Sequence, residues 1–329
     1  MDAVISDSRP QSAMSSVPEK YRATLRRLLD ASTADATRRA YRGQLQRFSD
    51  WCVENALCPL PAAPETVAAF ISYLAETGKG NATVNQALAA ISAAHRAAGL
   101  ESPTKNIAVQ KTARGFRREF GTAPRKKPAA TADLVKRMLI ALEARGTARD
   151  ARDAALLAVG FAGGFRRSEL VALNVEDLSW ETEDGCECCV IQVRRSKTDP
   201  EGHGAEKAVF AENDPRFSPT LLLRKWLDLA AISEGPVFRR IRRGGHVTGA
   251  RVTDQVVMVA VKRAAALAGI QLNLSAHSLR SGFVTTCVRQ CKTPDEISVQ
   301  TGHRSMNVLM GYYQRQNVRE RNGARGVLG

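Results

Sequence analysis

Two histidines, two arginines and a pair of tyrosines lie near the C-terminus, in Ala276-His277-Ser278-Leu279-Arg280-Ser281-Gly282, Thr301-Gly302-His303-Arg304-Ser305 and Gly311-Tyr312-Tyr313. Arginine binds non-bridging phosphate oxygens through charge-assisted forks, and histidine donates hydrogen bonds or protons. A tyrosine hydroxyl can form a covalent ester with phosphorus. No paired carboxylates accompany them to hold a metal, so the set suits metal-free attack on a phosphodiester.

These groups need elements that bring them together. His277 and Arg280, three residues apart, share one face of a helix that Ser275 begins and Phe283-Val284 continues. Thr293-Pro294-Asp295-Glu296 reads as a cap, a first-turn proline and a capping-box acid, opening a helix that stops at Gly302. In one unbroken helix His303 and Tyr312 would face opposite sides, at about 100° per residue. The chain is therefore expected to bend at Gly302 to Ser305, with Ser305 capping a third, short helix that ends in the tyrosine pair.

Two further pieces lie upstream. Gly163-Gly164 breaks a helical pattern, and Phe165-Arg166-Arg167-Ser168-Glu169-Leu170 opens another helix with Arg166 and Glu169 on one face. The β-branched run Cys189 to Val193 and the extended run Ala208-Val209-Phe210 flank turn residues, which predicts a hairpin with Lys197 at its mouth.

Taken in order, Arg166, Lys197, His277, Arg280, His303 and Tyr312 resemble the catalytic set of the tyrosine recombinase (phage integrase) family. The resemblance covers the whole C-terminal domain and, less specifically, the helical region before it. It implies a mainly α fold with a small β-sheet. An N-terminal helical core-binding (SAM-like) domain and a mixed α/β catalytic domain would form a clamp on double-stranded DNA.

It also implies roles. Tyr312, chosen over Tyr313 by its interval from His303, attacks the scissile phosphorus and leaves a 3′-phosphotyrosine. Arg166 and Arg280 hold the non-bridging oxygens, His277 and His303 assist by hydrogen bonding and proton transfer, Lys197 protonates the leaving 5′ oxygen, and Glu169 supports Arg166. The implied reaction is site-specific recombination with no cofactor, metal or ATP, carried out by a homotetramer on two duplexes. A type IB topoisomerase or telomere resolvase shares this chemistry, and a non-catalytic DNA-binding protein would need only the basic surface. The lack of clustered acids disfavours a metal-dependent nuclease.

Composition agrees with a polyanionic partner, since the formal net charge is +15 over 329 residues. No apolar run reaches about 18 residues, and Met1 to Asp7 lacks the features of a signal peptide, so a cytoplasmic chain is expected. The seven cysteines are then expected to be mostly reduced. Cys186, Cys188 and Cys189 have no second ligand pair nearby, which makes packing a better reading than zinc.

Four regions are expected: a flexible tail at 1–16, a helical DNA-binding domain at 17–122, a basic linker at 123–130 and the catalytic domain at 131–329. In the first domain Tyr41, Leu45, Phe48 and Cys52 form one apolar stripe, and Val84, Leu88, Ile91 and His95 another that Asn81 caps. His95 reads as a buried, hydrogen-bonded histidine. Candidate phosphate contacts are Arg38, Arg42, Arg117 and Arg118, then Arg125, Lys126 and Lys127 in the linker, and Arg242 and Arg243 in a loop.

Overall fold

The computed structural model describes residues 18–32, 34–122, 127–183, 185–194, 204–302 and 306–320. It divides into two compact units, residues 1–125 and 126–329. The expected tail at 1–16 lies outside the described residues.

The described residues of the first unit hold the α-helices α1 (Glu19–Ala31), α2 (Asp35–Glu54), α3 (Pro64–Glu76), α4 (Asn81–Ala97) and α5 (Ile107–Phe120). Their apolar stripes close on a core that includes Phe48, Trp51, Phe70, Leu74, Ile91 and Phe116. His95 belongs to this interior. Its Nδ1 donates to the Ile91 carbonyl at 2.8 Å and its Nε2 accepts from the Ala62 N–H at 2.9 Å, so both ring nitrogens are satisfied. Asn81 opens α4 instead of capping it. The extended backbone of Gly80 makes that residue the cap, and Asn81 Oδ1 is buried without a partner among the described residues.

The second unit is built on α7 (Ala148–Ala162), which α6 (Ala132–Glu143), α8 (Arg167–Ala172), α9 (Pro219–Leu229), α10 (Asp254–Leu267) and α11 (Ala276–Arg289) all touch. Residues 152 to 160 of α7 are buried without interruption, as expected of a helix covered on every side. A three-stranded antiparallel sheet, β1 (Leu178–Glu183), β2 (Cys186–Val193) and β3 (Ala205–Phe210), is ordered β1-β2-β3. The β2–β3 hairpin is the expected one. Strand β1 was not foreseen, although Leu178 and Trp180 alternate with polar neighbours at period two.

The basic run from Arg239 begins in a strand. Arg239–Ile241 (β4) pairs with Val247–Arg251 (β5), leaving Arg242 and Arg243 exposed in the turn, where Gly244 and Gly245 take positive φ. The unit closes with α12 (Pro294–Thr301) and α13 (Met306–Glu320). Helix α12 has the predicted capping box, with the Thr293 side chain accepting from the Glu296 N–H, and it ends at Gly302 at φ 62. Helix α13 does not stop at the tyrosine pair but runs about two turns further, since no glycine or proline follows until Gly323.

One glycine sets how closely α11 approaches the start of this unit. A Cβ added at Gly282 would lie 1.8 Å from the Ala130 carbonyl oxygen. The Ala130 N–H also donates to the Ser278 carbonyl at 2.9 Å, so neither backbone is free to retreat. Gly282→Ala is expected to cost about 3 kcal/mol, the upper range of overpacking. That corresponds to a melting temperature lower by about 6–12 °C in a unit of this size. Differential scanning calorimetry of the full chain checks this, and a shift under about 2 °C would contradict the close approach.

Candidate active site

The end of α7 and the start of α8 form the floor. Gly164 turns the chain at φ 53, and its missing Cβ leaves room for Thr301 and Phe283. The turn delivers Arg166 to the N-terminus of α8. Glu169 is buried one turn later. One of its oxygens accepts from Arg166 Nη1 at 2.5 Å and the other from the Arg166 N–H at 3.0 Å. The carboxylate thus caps the helix and aims the guanidinium, whose Nη2 reaches the Gly302 carbonyl at 3.5 Å. Arg167 points elsewhere and pairs with Asp254 at 3.2 Å.

Helix α11 supplies the second arginine. Arg280 is only 3% exposed, and its Nη1 donates to the Gly164 carbonyl at 2.7 Å. Burial, with the like charge of Arg166, lowers its pKa to about 10, against the pull of Glu169 and Tyr312. Among the described residues its buried Nη2 has no hydrogen-bond partner. A buried cationic donor left open is costly, and a bound anion would complete it. His277, one turn earlier, is exposed. Its pKa is nonetheless depressed, by desolvation and then by the charges of Arg280 and Arg166.

Helix α13 carries both tyrosines, half-buried against Val284, Val288, Ile297 and Leu309. Tyr312 lies close enough to Arg280 to act on its charge. Tyr313 is directed away, its hydroxyl donating to the Lys292 carbonyl, and burial raises its pKa. The two neighbours therefore have different surroundings: Tyr312 acts on the charge of Arg280, and the Tyr313 hydroxyl is held by the Lys292 carbonyl.

A further cation was missed in the sequence. Lys207 on β3 is 5% exposed, and its Nζ lies 3.0 Å from the Gly163 carbonyl, 3.6 Å from Glu169 Oε2 and 4.5 Å from the centre of the Phe165 ring. The available signal was strand alternation. Starting β3 at Ala205 places Lys207 on the same face as Val209, opposite buried Ile191.

Comparison with known proteins gives the family of each region. The profile of the phage integrase family matches residues 129–319, and that of the phage integrase N-terminal SAM-like domain matches residues 19–101. The chain belongs to the tyrosine recombinases. An integrase/recombinase xerD homolog of Selenomonas ruminantium is 36% identical over 304 residues, which cover 91% of this chain and 87% of that protein. The recombinase cre of Escherichia phage P1 is 27% identical over 292 residues, 80% of each chain. A lambda integrase tetramer bound to a Holliday junction shares the fold, with a TM-score of 0.57 at 16% identity over 85% of this chain and 72% of that one.

Of the residues expected at the site, Arg166, Glu169, His277, Arg280 and Tyr312 come from the floor, α11 and α13 of one unit. Lys197 and His303 lie outside the described residues, as do Arg125 and Lys126. Arg38, Arg42, Arg118, Lys127, Arg242 and Arg243 are exposed, and Arg117 is half-buried. Cys188 and Cys189 are buried in β2, and burial pushes the Cys189 thiol up to about 12, which fits packing. Among the described residues no helix is long and apolar enough to cross a membrane.

Proposed function

We propose that this recombinase cleaves and rejoins double-stranded DNA at a specific site through a 3′-phosphotyrosine intermediate formed on Tyr312. The observation that carries the reading is the open Nη2 of Arg280, buried beside a second arginine and coupled to a tyrosine. A phosphodiester between the two guanidiniums supplies the missing acceptor and offsets charge that the folded protein leaves uncompensated.

The chemistry then balances. The Tyr312 hydroxyl gives its proton to neutral His277 as its oxygen bonds to phosphorus, the bond to the 5′ oxygen breaks, and the leaving oxygen takes a proton from Lys197. Arg166, aimed by Glu169, and Arg280 hold the two non-bridging oxygens as charge builds on them. His277 and His303 assist with hydrogen bonds and proton transfer; His277, whose pKa is lowered by desolvation and then by the two arginines, gains basicity once the phosphate offsets their charge. The ester energy stays in the phosphotyrosine link, so attack by a partner strand's 5′ hydroxyl rejoins DNA without ATP or metal.

The helical unit at residues 17–122, the linker at 123–130 and the catalytic unit from 131 would close on the duplex as a clamp. Arg38, Arg42, Arg117 and Arg118, the linker bases Arg125, Lys126 and Lys127, and Arg242 and Arg243 would contact phosphates. Exchanging two strands at each of two sites calls for four protomers, the stoichiometry of the lambda integrase tetramer on its Holliday junction. Acting on DNA, the enzyme is read as cytoplasmic.

Trapping tests the reading. Incubation with nicked suicide DNA carrying the recombination site, in EDTA, is expected to give a denaturation-resistant protein–DNA adduct. A cognate site that is bound without any adduct would leave DNA binding alone as the function.

A further inference from the structure

Lys207 sits where a core residue is expected. Its strand neighbours on that face, Val209 and cross-strand Ile191, are fully buried and apolar. A methionine or leucine would fill the position without the cost of desolvating an ammonium. Yet the ammonium reaches Glu169, which Arg166 uses, and the carbonyl of the residue before the one that Arg280 uses. Glu169, its ion-pair partner, aims Arg166 with both oxygens. Gly163, whose carbonyl it hydrogen-bonds, precedes Gly164, whose carbonyl holds Arg280 at 2.7 Å.

We propose, resting on the reaction assigned above, that Lys207 is a positioning residue for strand cleavage. Its buried ammonium fixes the Glu169 carboxylate and the Gly163-Gly164 turn, and through them both arginine forks. It also ties strand β3, and so one end of the segment that carries Lys197, to the arginine pair.

The charged groups facing Lys207 are Glu169 of α8, Arg166 at the start of that helix and Arg280 of α11. Burial, opposed by Glu169 and reinforced by the two arginines, lowers its pKa to about 8. This gives the site two pH responses of opposite sign. Because the folded pKa lies below the ordinary lysine value near 10.5, the unfolded chain holds more protons between about 8 and 10.5. The group's contribution to stability is therefore lost as pH falls through about 8 and grows as pH rises above it. The positioning role runs the other way, since losing the proton above about 8 releases Glu169 and slows cleavage.

Single-turnover cleavage of suicide DNA, binding of the same DNA and thermal melting, each across pH 6.5 to 9.5, test this in wild type, Lys207→Met and Lys207→Arg. Lys207→Met is expected to cleave about 10- to 100-fold more slowly at neutral pH, as when an outer support of a functional group is lost. Its DNA affinity and melting temperature should be retained, and the alkaline fall in rate that wild type shows should be absent. Lys207→Arg, which stays protonated, should recover most of the rate and move the alkaline limb upward. Wild-type rates in Lys207→Met would overturn the proposal. So would a rate loss in that variant that tracks lost binding and lost melting temperature, since that pattern marks a merely structural lysine. If wild type forms no adduct, the cleavage reading fails first, whatever the lysine does.

Discussion

Tyr312→Phe is expected to abolish the covalent adduct and to lower strand cleavage by at least ~10⁴-fold, the scale of removing a covalent nucleophile. The substitution deletes one oxygen and keeps the ring, which packs on Val284, Val288, Ile297 and Leu309, so folding and DNA binding should persist. The adjacent Tyr313→Phe is the informative contrast. Its hydroxyl donates to the Lys292 carbonyl and is spent on holding α13 against the turn before α12. Losing that bond costs about 1 kcal/mol, so the variant should stay within about fivefold of wild type. Denaturing gels of trapped complexes distinguish the two, and an adduct surviving in Tyr312→Phe but absent from Tyr313→Phe would reverse the assignment.

Arg280→Met is expected to reduce cleavage by about 10³-fold while leaving the melting temperature unchanged or higher. The activity loss follows from removing one preorganised cationic donor from the charge that develops on phosphorus oxygens, worth 10² to 10⁵ in comparable sites. The stability effect follows from the folded protein itself. The Arg280 pKa falls to about 10 because burial and Arg166 both oppose its charge, so holding the cation in place works against folding. Methionine fills similar volume without that cost. At neutral pH the arginine remains protonated, and the loss should be independent of pH between 6 and 8. Arg280→Lys should recover little, because an ammonium does not reproduce a fork that grips the Gly164 carbonyl with one nitrogen and presents the other. Rapid-quench cleavage together with calorimetry measures both signs at once; cleavage within tenfold of wild type would mean that the open nitrogen does not meet phosphate.

Much of this site could be read from residue order. The glycine pair before Arg166, the i,i+3 relations of Arg166 with Glu169 and of His277 with Arg280, and the capping box at Thr293 are local signals, each set within one helical turn. The structure departs from expectation where the outcome depends on distant partners. Strand β1 exists because β2 offers it a register, and Arg239 is in a strand because Val247–Arg251 returns beside it. Asn81, a good cap by type, lost that place to Gly80 because the backbone enters the helix one residue earlier. The extent of α13 beyond the tyrosines had a local signal, the lack of a helix breaker, that the motif reading passed over.

By itself, the sequence determined which chemistry this protein carries and the elements on which Arg166, His277, Arg280 and Tyr312 ride, because residue type and helical period are properties of neighbours in the chain. The tertiary structure alone decided which of those groups are buried together. His277 and Arg280 share a helix, yet one is exposed and the other sealed against the Gly164 carbonyl. Tyr312 and Tyr313 are adjacent, yet one acts on the charge of Arg280 and the other's hydroxyl is held by the Lys292 carbonyl. Lys207 became part of the site only when β3 paired with β2 and turned it inward. Burial raises the strength of every charge interaction by removing water, and which charges lose their water is a property of packing, which no local pattern states.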